Sequence, residues 1–249
     1  MSIVISETPE LLGAAAAQKA GDVVRGAIRA KGKARIVLST GASQFQFIQA
    51  FVKEELDWSK VEMFHLDEYV GLPESHIASF RKYLKERFTE IVPLGAAHFV
   101  NGEGDVQANI AALTAELRKE PIDLALIGIG ENSHIAFNDP PANFDTKEAY
   151  IVVDLDDACK NQQVGEGWFA TLDDVPKQAI SMTVYQIMQA EAIISCVPHK
   201  VKANAIKLTM ENELTNLVPS TMLKTHADWS LYLDRESASL LDSAAVQNA

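Results

Sequence analysis

Apolar runs and helical stripes alternate along this chain. Over residues 9–30, Leu11, Leu12, Ala15, Ala16, Ala20, Val23, Val24, Ala27 and Ile28 recur at the spacing of one helix face. Thr8 ahead of Pro9 supplies a start signal and Gly32 a stop. Residues 34–39 then read as a short buried strand, and 44–55 as a helix. The same alternation continues with a strand over 61–66, a helix over 79–91, a short strand at 98–100 and an amphipathic helix over 105–119, with Ile110, Leu113 and Leu117 inward. An apolar strand over 122–129 follows. Beyond it the pattern predicts strands at 150–153, 179–184, 191–197 and 230–233, a polar helix and loop over 156–167, and helices reaching residue 190 and spanning 201–211. Strands and helices that alternate at this spacing predict right-handed β-α-β units around a mostly parallel sheet, hence an α/β three-layer sandwich with helices on both faces.

Composition narrows the picture. The chain has 249 residues, 47% hydrophobic and 22% charged, enough for one large domain with a substantial core. No linker or repeat divides it, so a single domain over 1–249 is expected, with a short polar tail through Ala249. The net charge of −12 and the lack of a basic stripe argue against a nucleic-acid partner. That charge also means an anionic ligand needs local help from lysines, arginines or backbone N–H groups. No apolar stretch approaches the ~20 residues of a membrane span, and no signal peptide is recognisable, so no membrane partner is expected. Cys159 and Cys196 are far apart and suit a reducing cytosol, which makes a cytoplasmic location the expectation.

Candidate chemistry collects where predicted strands end. The first such place is Thr40-Gly41-Ala42-Ser43, a small-residue turn between a strand and a helix. Backbone N–H groups can approach an anion there, although a tight turn without a ligand reads the same way. The second is Asp67-Glu68 at the end of the strand over 61–66, where burial could raise a carboxylate pKa toward that of a useful base. A helix cap or a turn is the alternative. The third is 128–139, where Gly128 and Gly130 lead into Glu131, Asn132, Ser133, His134 and Asp139. A histidine and a carboxylate on a glycine-rich loop suggest a site at the carboxyl end of a parallel sheet. Lys200, between a strand and a helix, is placed to reach a phosphate or to remain solvated. The polar stretch around 143–175 reads as a mobile lid.

The wording of these loops resembles that of the glucosamine-6-phosphate deaminases, and the resemblance runs from about residue 30 to 235. It is carried by Phe64-His-Leu-Asp-Glu-Tyr-Val-Gly-Leu72 and by Gly128-Ile-Gly-Glu-Asn-Ser-His-Ile-Ala-Phe-Asn-Asp139. The related 6-phosphogluconolactonases tend to read Asp-Glu-Arg and His-Thr-Ala-Ser at the two loops. This chain has Asp67-Glu68-Tyr69 and His134-Ile-Ala-Phe, which is more similar to the deaminase side. The resemblance implies a Rossmann-like fold and conversion of glucosamine 6-phosphate and water to fructose 6-phosphate and ammonia, with no metal and no organic cofactor. It implies that His134 opens the sugar ring, held by Asn132 and Asp139, and that Asp67 removes the C2 proton. It implies substrate and phosphate contacts from Thr40, Gly41, Ala42, Ser43, Glu68, Gly130, Lys160 and Lys200, with Lys160 standing where relatives carry an arginine. Other departures from the family pattern are Asn132 for a common aspartate, Ser133 for a common glycine, and Asp139 for the usual glutamate. The shorter Asp139 predicts either a loop drawn inward or a bridging water. The galactosamine epimer, a sugar lactone or simple sensing of a sugar phosphate are the alternative readings. A small amino-sugar phosphate is the expected partner, and assembly into a homo-oligomer is left open.

Overall fold

The computed structural model describes residues 1–242, so the end of the expected polar tail, from residue 243 on, lies outside the described residues. The first long helix forms as its signals predict. The Thr8 hydroxyl accepts from the Leu11 N–H, Pro9 begins α1 (Pro9–Lys31), and Gly32 ends it in the left-handed region at φ 79°. Its stripe of Leu12, Ala16, Ala17, Ala20 and Val24 is buried.

The strands are β1 (Ser2–Ser6), β2 (Ala34–Leu38), β3 (Val61–His65), β4 (Asp67–Tyr69), β5 (Ala96–His98), β6 (Leu124–Leu126), β7 (Tyr150–Asp154), β8 (Gln178–Met182), β9 (Ala192–Val197) and β10 (Trp229–Asp234). Between them lie α2 (Phe45–Phe51), α3 (Phe80–Leu84, continued by a π-turn at Lys85–Thr89), α4 (Val106–Leu117), α5 (Asp157–Gly165), α6 (Val184–Ile187) and α7 (Ala203–Glu211). Seven strands form one sheet in the order β1-β10-β9-β6-β2-β3-β5, and every pairing in it is parallel. Strand alternation divides the core into two layers. Ile36, Leu38, Met63, Leu124 and Ile194 face Ala16, Phe47 and Leu84 of α1, α2 and α3. Val37, Phe64, Ala125, Ile193 and Leu231 face Leu113, Ile187 and Ile206 of α4, α6 and α7. The chain is thus an α/β three-layer sandwich with a mostly parallel central sheet and helices on both sides.

Sequence patterning does not anticipate the second sheet, β4-β8-β7, which is antiparallel. Its first strand is Asp67-Glu68-Tyr69, so the acidic pair sits in a strand rather than a turn or cap. Its last strand lies within 143–175, so that stretch is partly sheet. Tyr69, Phe80 and Phe137 pack against Leu155, Cys159 and Phe169 in a small separate core. The edge strand β1 is also additional to the expected strands.

Strand order fixes where a ligand can enter. From β2 the sheet proceeds through β3 to β5, while β6, β9 and β10 extend it the other way. In open parallel sheets the crevice at such a switch lies beyond the carboxyl ends of the strands. Here that end lies between β2 and β6, whose following loops hold 40–43 and 128–139.

Candidate active site

A cleft of about 570 Å³, including its solvent-filled mouth, opens at that switch point. Its walls include Thr40, Gly41 and Ser43 after β2, Asp67 after β3, Gly130 and His134 after β6, Gln162, Gln163 and Glu166 of α5 and its following turn, and Lys202 after β9.

The β2 loop is pinned from both sides. Gly41 has φ 102°, a conformation that L side chains rarely adopt. Its carbonyl accepts from the Tyr83 hydroxyl at 2.9 Å, and the Gln44 amide donates to the Cys196 carbonyl at the end of β9 at 3.1 Å. Ala42 lies further out, in a recess shared with Ser43, Asn132, Gln162, Glu166 and Lys202.

Asp67 is 6% exposed. Its Oδ1 is buried with no hydrogen-bond partner among the described residues. Burial, and after it the charge of Glu68, holds its pKa well above the usual carboxylate range. An unpaired, proton-avid carboxylate facing a cleft has the character of a general base. Glu68 is different in kind. Fully buried, it accepts from the Tyr69, Phe80 and Arg81 backbone N–H groups, from the Ser79 hydroxyl and from the Arg81 guanidinium. Adjacent strand residues face opposite ways, so Glu68 anchors α3 while Asp67 faces the cleft. The structure places Glu68, expected as a substrate contact, among the groups that hold α3, and not in the cleft wall.

The β6 loop brings His134, Asn132 and Asp139 together. His134 Nδ1 lies 2.6 Å from Asn132 Oδ1 and 3.0 Å from Asp139 Oδ1. The Asn132 amide donates to Asp139 Oδ1 at 3.0 Å. With two acceptors at Nδ1, the ring carries its proton there when neutral and Nε2 is the nitrogen free to exchange one. Burial raises the Asp139 pKa, but its contacts with His134 and Asn132, with the Cys159 thiol nearby, outweigh that and hold the carboxyl below its usual range. Asp139 thus reaches His134 directly, despite its short side chain. Gly130 makes this packing possible, because a Cβ there would meet His134 Cε1 at 2.2 Å. Ser133 adopts φ 69°, a conformation that favours glycine, and is wholly buried. Asn138 ties the loop to the second sheet by donating to the Ser181 hydroxyl and the Met182 carbonyl.

The lysines differ from expectation. Lys200 is exposed, whereas Lys202 is 4% exposed and lines the cleft. Burial lowers the Lys202 pKa, and the charges of Glu166 and Glu131 act against that. The two lysines flank the 3₁₀ turn Lys200–Lys202, and residues two apart on such a turn point to different sides. Lys160 pairs with Asp157 at 3.6 Å, while Gln162, Gln163 and Glu166 face the cleft instead. Both Glu166 oxygens are held, one by the Gln162 amide at 2.8 Å and the other by the Trp168 indole at 3.0 Å. Single glutamines and a glutamate in a polar segment carry no chemical signature of their own, so the sequence does not mark these residues as part of a site.

Among the described residues, two side-chain groups hold metal-type donors, His134–Asp139–Cys159 and Glu62–His98–Glu116. In the second, Glu62 already pairs with Arg35 at 2.6 Å and with His98 at 2.8 Å.

Comparison with known proteins gives a consistent answer. Residues 7–231 match the sequence model of the glucosamine-6-phosphate isomerases/6-phosphogluconolactonase family. The glucosamine-6-phosphate deaminase of Streptococcus sanguinis (strain SK36) is 36% identical over 213 residues, covering 85% of this chain and 89% of its own. That of Streptococcus suis (strain 05ZYH33) is 36% identical over 205 residues, 82% of this chain and 86% of its own. Among solved structures, a monomeric glucosamine-6-phosphate deaminase superposes with a TM-score of 0.88 at 27% identity, covering 97% of this chain and 100% of its own. The 6-phosphogluconolactonase of Trypanosoma brucei shares the fold, with a TM-score of 0.80 at 16% identity over 97% of this chain and 98% of its own.

Proposed function

The chain belongs to the glucosamine-6-phosphate isomerase/6-phosphogluconolactonase family, and from that premise we propose that it is an aminosugar-phosphate deaminase and isomerase. Its substrate is glucosamine 6-phosphate, and its products are fructose 6-phosphate and ammonia. The observation that carries this reading is Asp67: a buried carboxylate with an unpaired oxygen, in the same cleft as a histidine braced on one ring nitrogen. A lactone hydrolase has to activate water but has no carbon acid to deprotonate. An aldose-to-ketose conversion needs both a base for C2 and a group to open the ring.

The geometry supports the following steps. Nε2 of His134 takes the proton of the anomeric hydroxyl and returns one to the ring oxygen, which opens the sugar. Asp139 and Asn132 hold Nδ1 and stabilise the imidazolium formed in between. Asp67 removes the C2 proton, and the amine-bearing double bond that forms is an enolamine. Reprotonation at C1 gives the 2-imine of the ketose. Water adds to C2 and ammonia leaves. The raised pKa of Asp67 makes it a stronger base than a solvated carboxylate, and it is returned to the ionised form at the C1 protonation. Backbone N–H groups of the Gly41 turn, the Thr40 and Ser43 hydroxyls and the Lys202 ammonium hold the phosphate.

The test is ammonia release from a panel of amino-hexose 6-phosphates, run in D₂O. The expected result is stoichiometric ammonia, a ketose 6-phosphate deuterated at C1, and preference for the gluco over the galacto epimer. Hydrolysis of 6-phosphogluconolactone with no ammonia from any amino sugar would reassign the chain to the lactonase side of its family.

A further inference from the structure

The carboxylate that steadies His134 is itself only half held. Oδ1 of Asp139 takes both the His134 and the Asn132 contacts, each at 3.0 Å. Oδ2 is buried without a hydrogen-bond partner among the described residues, on a side chain only 10% exposed. An ionised oxygen left in that state is costly unless a donor reaches it.

A cysteine lies close to this carboxylate. Cys159 lies in the first turn of α5 and is 1% exposed. Its Sγ, a carboxylate oxygen of Asp139 and a ring nitrogen of His134 all lie within 4.8 Å of one another. The helix cap fixes where this side chain begins, because Asp156 accepts the Cys159 backbone N–H at 2.7 Å. Burial first, then the charges of Asp139 and Asp156, push the thiol pKa far above its usual value. The sulfur therefore keeps its proton at neutral pH. It is then a hydrogen-bond donor rather than a nucleophile.

We propose that Cys159 is a positioning residue, whose S–H donates to the free oxygen of Asp139 and through it sets the orientation of His134. The inference rests on the ring-opening role given to His134 above. It joins two parts of the cleft that sequence keeps apart. The same helix that carries Cys159 brings Gln162 and Gln163 to the cleft, and the Glu131 N–H donates to Gln162 Oε1 at 3.3 Å. Seating α5 thus closes the cleft wall and completes the support of the acid/base histidine together.

Cys159→Ala and Cys159→Ser separate donor from volume. The alanine variant is expected to lose about tenfold in kcat, the scale of one hydrogen bond to a charged group, with KM changed less than about twofold since the thiol touches no substrate. Asp139 loses a donor, so its ionisation moves up toward that of Asp67 and the acid side of the kcat profile steepens. Serine restores a donor and should recover most of kcat and the original profile. The His134 Nδ1–H proton resonance should shift in the alanine variant and return toward wild type with serine. Wild-type kcat, pH profile and resonance in a normally melting alanine variant would overturn the proposal. So would equal losses in both variants, which would point to packing alone. Micromolar Zn²⁺ that inhibits the wild type but not the alanine variant, while their metal-free kinetics agree, would also overturn it by making the cluster a metal site. If the wild type releases no ammonia, the proposed reaction has failed, and the His134 resonance still decides the role of Cys159.

Discussion

Asp67 is a carboxylate that the fold makes difficult to ionise, and the consequence runs in two directions. Below its usual pKa of 3.8 the group is neutral whether folded or unfolded, so it adds no pH dependence to stability. Above that value it ionises more readily in the unfolded chain, so stability falls as pH rises through the elevated folded pKa. The proposed catalysis has the opposite sign, because a base works only once ionised. Asp67→Asn removes the ionisation and keeps the size. Turnover should therefore vanish in the ammonia assay, while the melting temperature at pH 7 to 8 rises by about 2–4 °C, the effect of about 1 kcal/mol in a chain of this size. The stability gain should disappear near pH 4. A variant that melts lower at pH 8 than wild type would show that burial of the charge is not costly here. The same logic puts the acid limb of kcat/KM above the normal carboxylate range.

Turns and short helices decide which side chains reach the cleft. The turn Lys200–Lys202 exposes its first lysine and buries its last beside Ser43 and Glu166. Lys202→Met should raise KM for the phosphorylated sugar by about tenfold or more, the worth of a charge-assisted contact, whereas Lys200→Met should leave it within about twofold. Steady-state kinetics on the two variants would decide between them. The segment bearing α5 rests on the small core of Tyr69, Phe80, Phe137 and Phe169, whereas the central strands are covered on both faces. Its amides should exchange with solvent faster than those of β2, β6 and β9, and a bound substrate analogue should slow α5 most. Equal protection in the free protein would remove the case for a lid. The central strands were legible because each is an apolar run buried on both faces, which is how parallel strands read. β4 was not legible, since Asp67-Glu68-Tyr69 becomes a strand only by pairing with Ser181, Ile180 and Ala179 far along the chain. Asp67, His134, Asn132 and Asp139 could be picked out because their residue types and loops carry chemistry. Lys202 and Glu166 could not, because their inward direction is set by a 3₁₀ turn and by the seating of a helix.

At the scale of the whole molecule, an acidic surface surrounds the cleft proposed to hold a sugar phosphate. The net charge of −12 repels a sugar phosphate at long range, while Lys202, nearly buried, attracts it at contact. Salt acts differently on the two. Its screening length falls from about 30 Å at 0.01 M to about 8 Å at 0.15 M, so the field of distant surface charges is largely removed over that range. A contact inside a cleft that excludes water is screened much less. Raising KCl from 0.01 to 0.15 M should therefore lower KM by roughly twofold and leave kcat unchanged, the reverse of what a basic cleft on a basic surface would show. Chloride suits the experiment because sulfate or phosphate would compete for the Gly41 turn. A KM that rises with salt would mean that the substrate senses Lys202 already at the cleft mouth. In that case the exposed Glu131, together with Glu166, would be a weaker barrier than their position suggests, and Glu166→Gln would change KM little. If KM falls, removing the Glu166 charge should lower it further, because that carboxylate shares the recess with Lys202 and opposes the phosphate at short range.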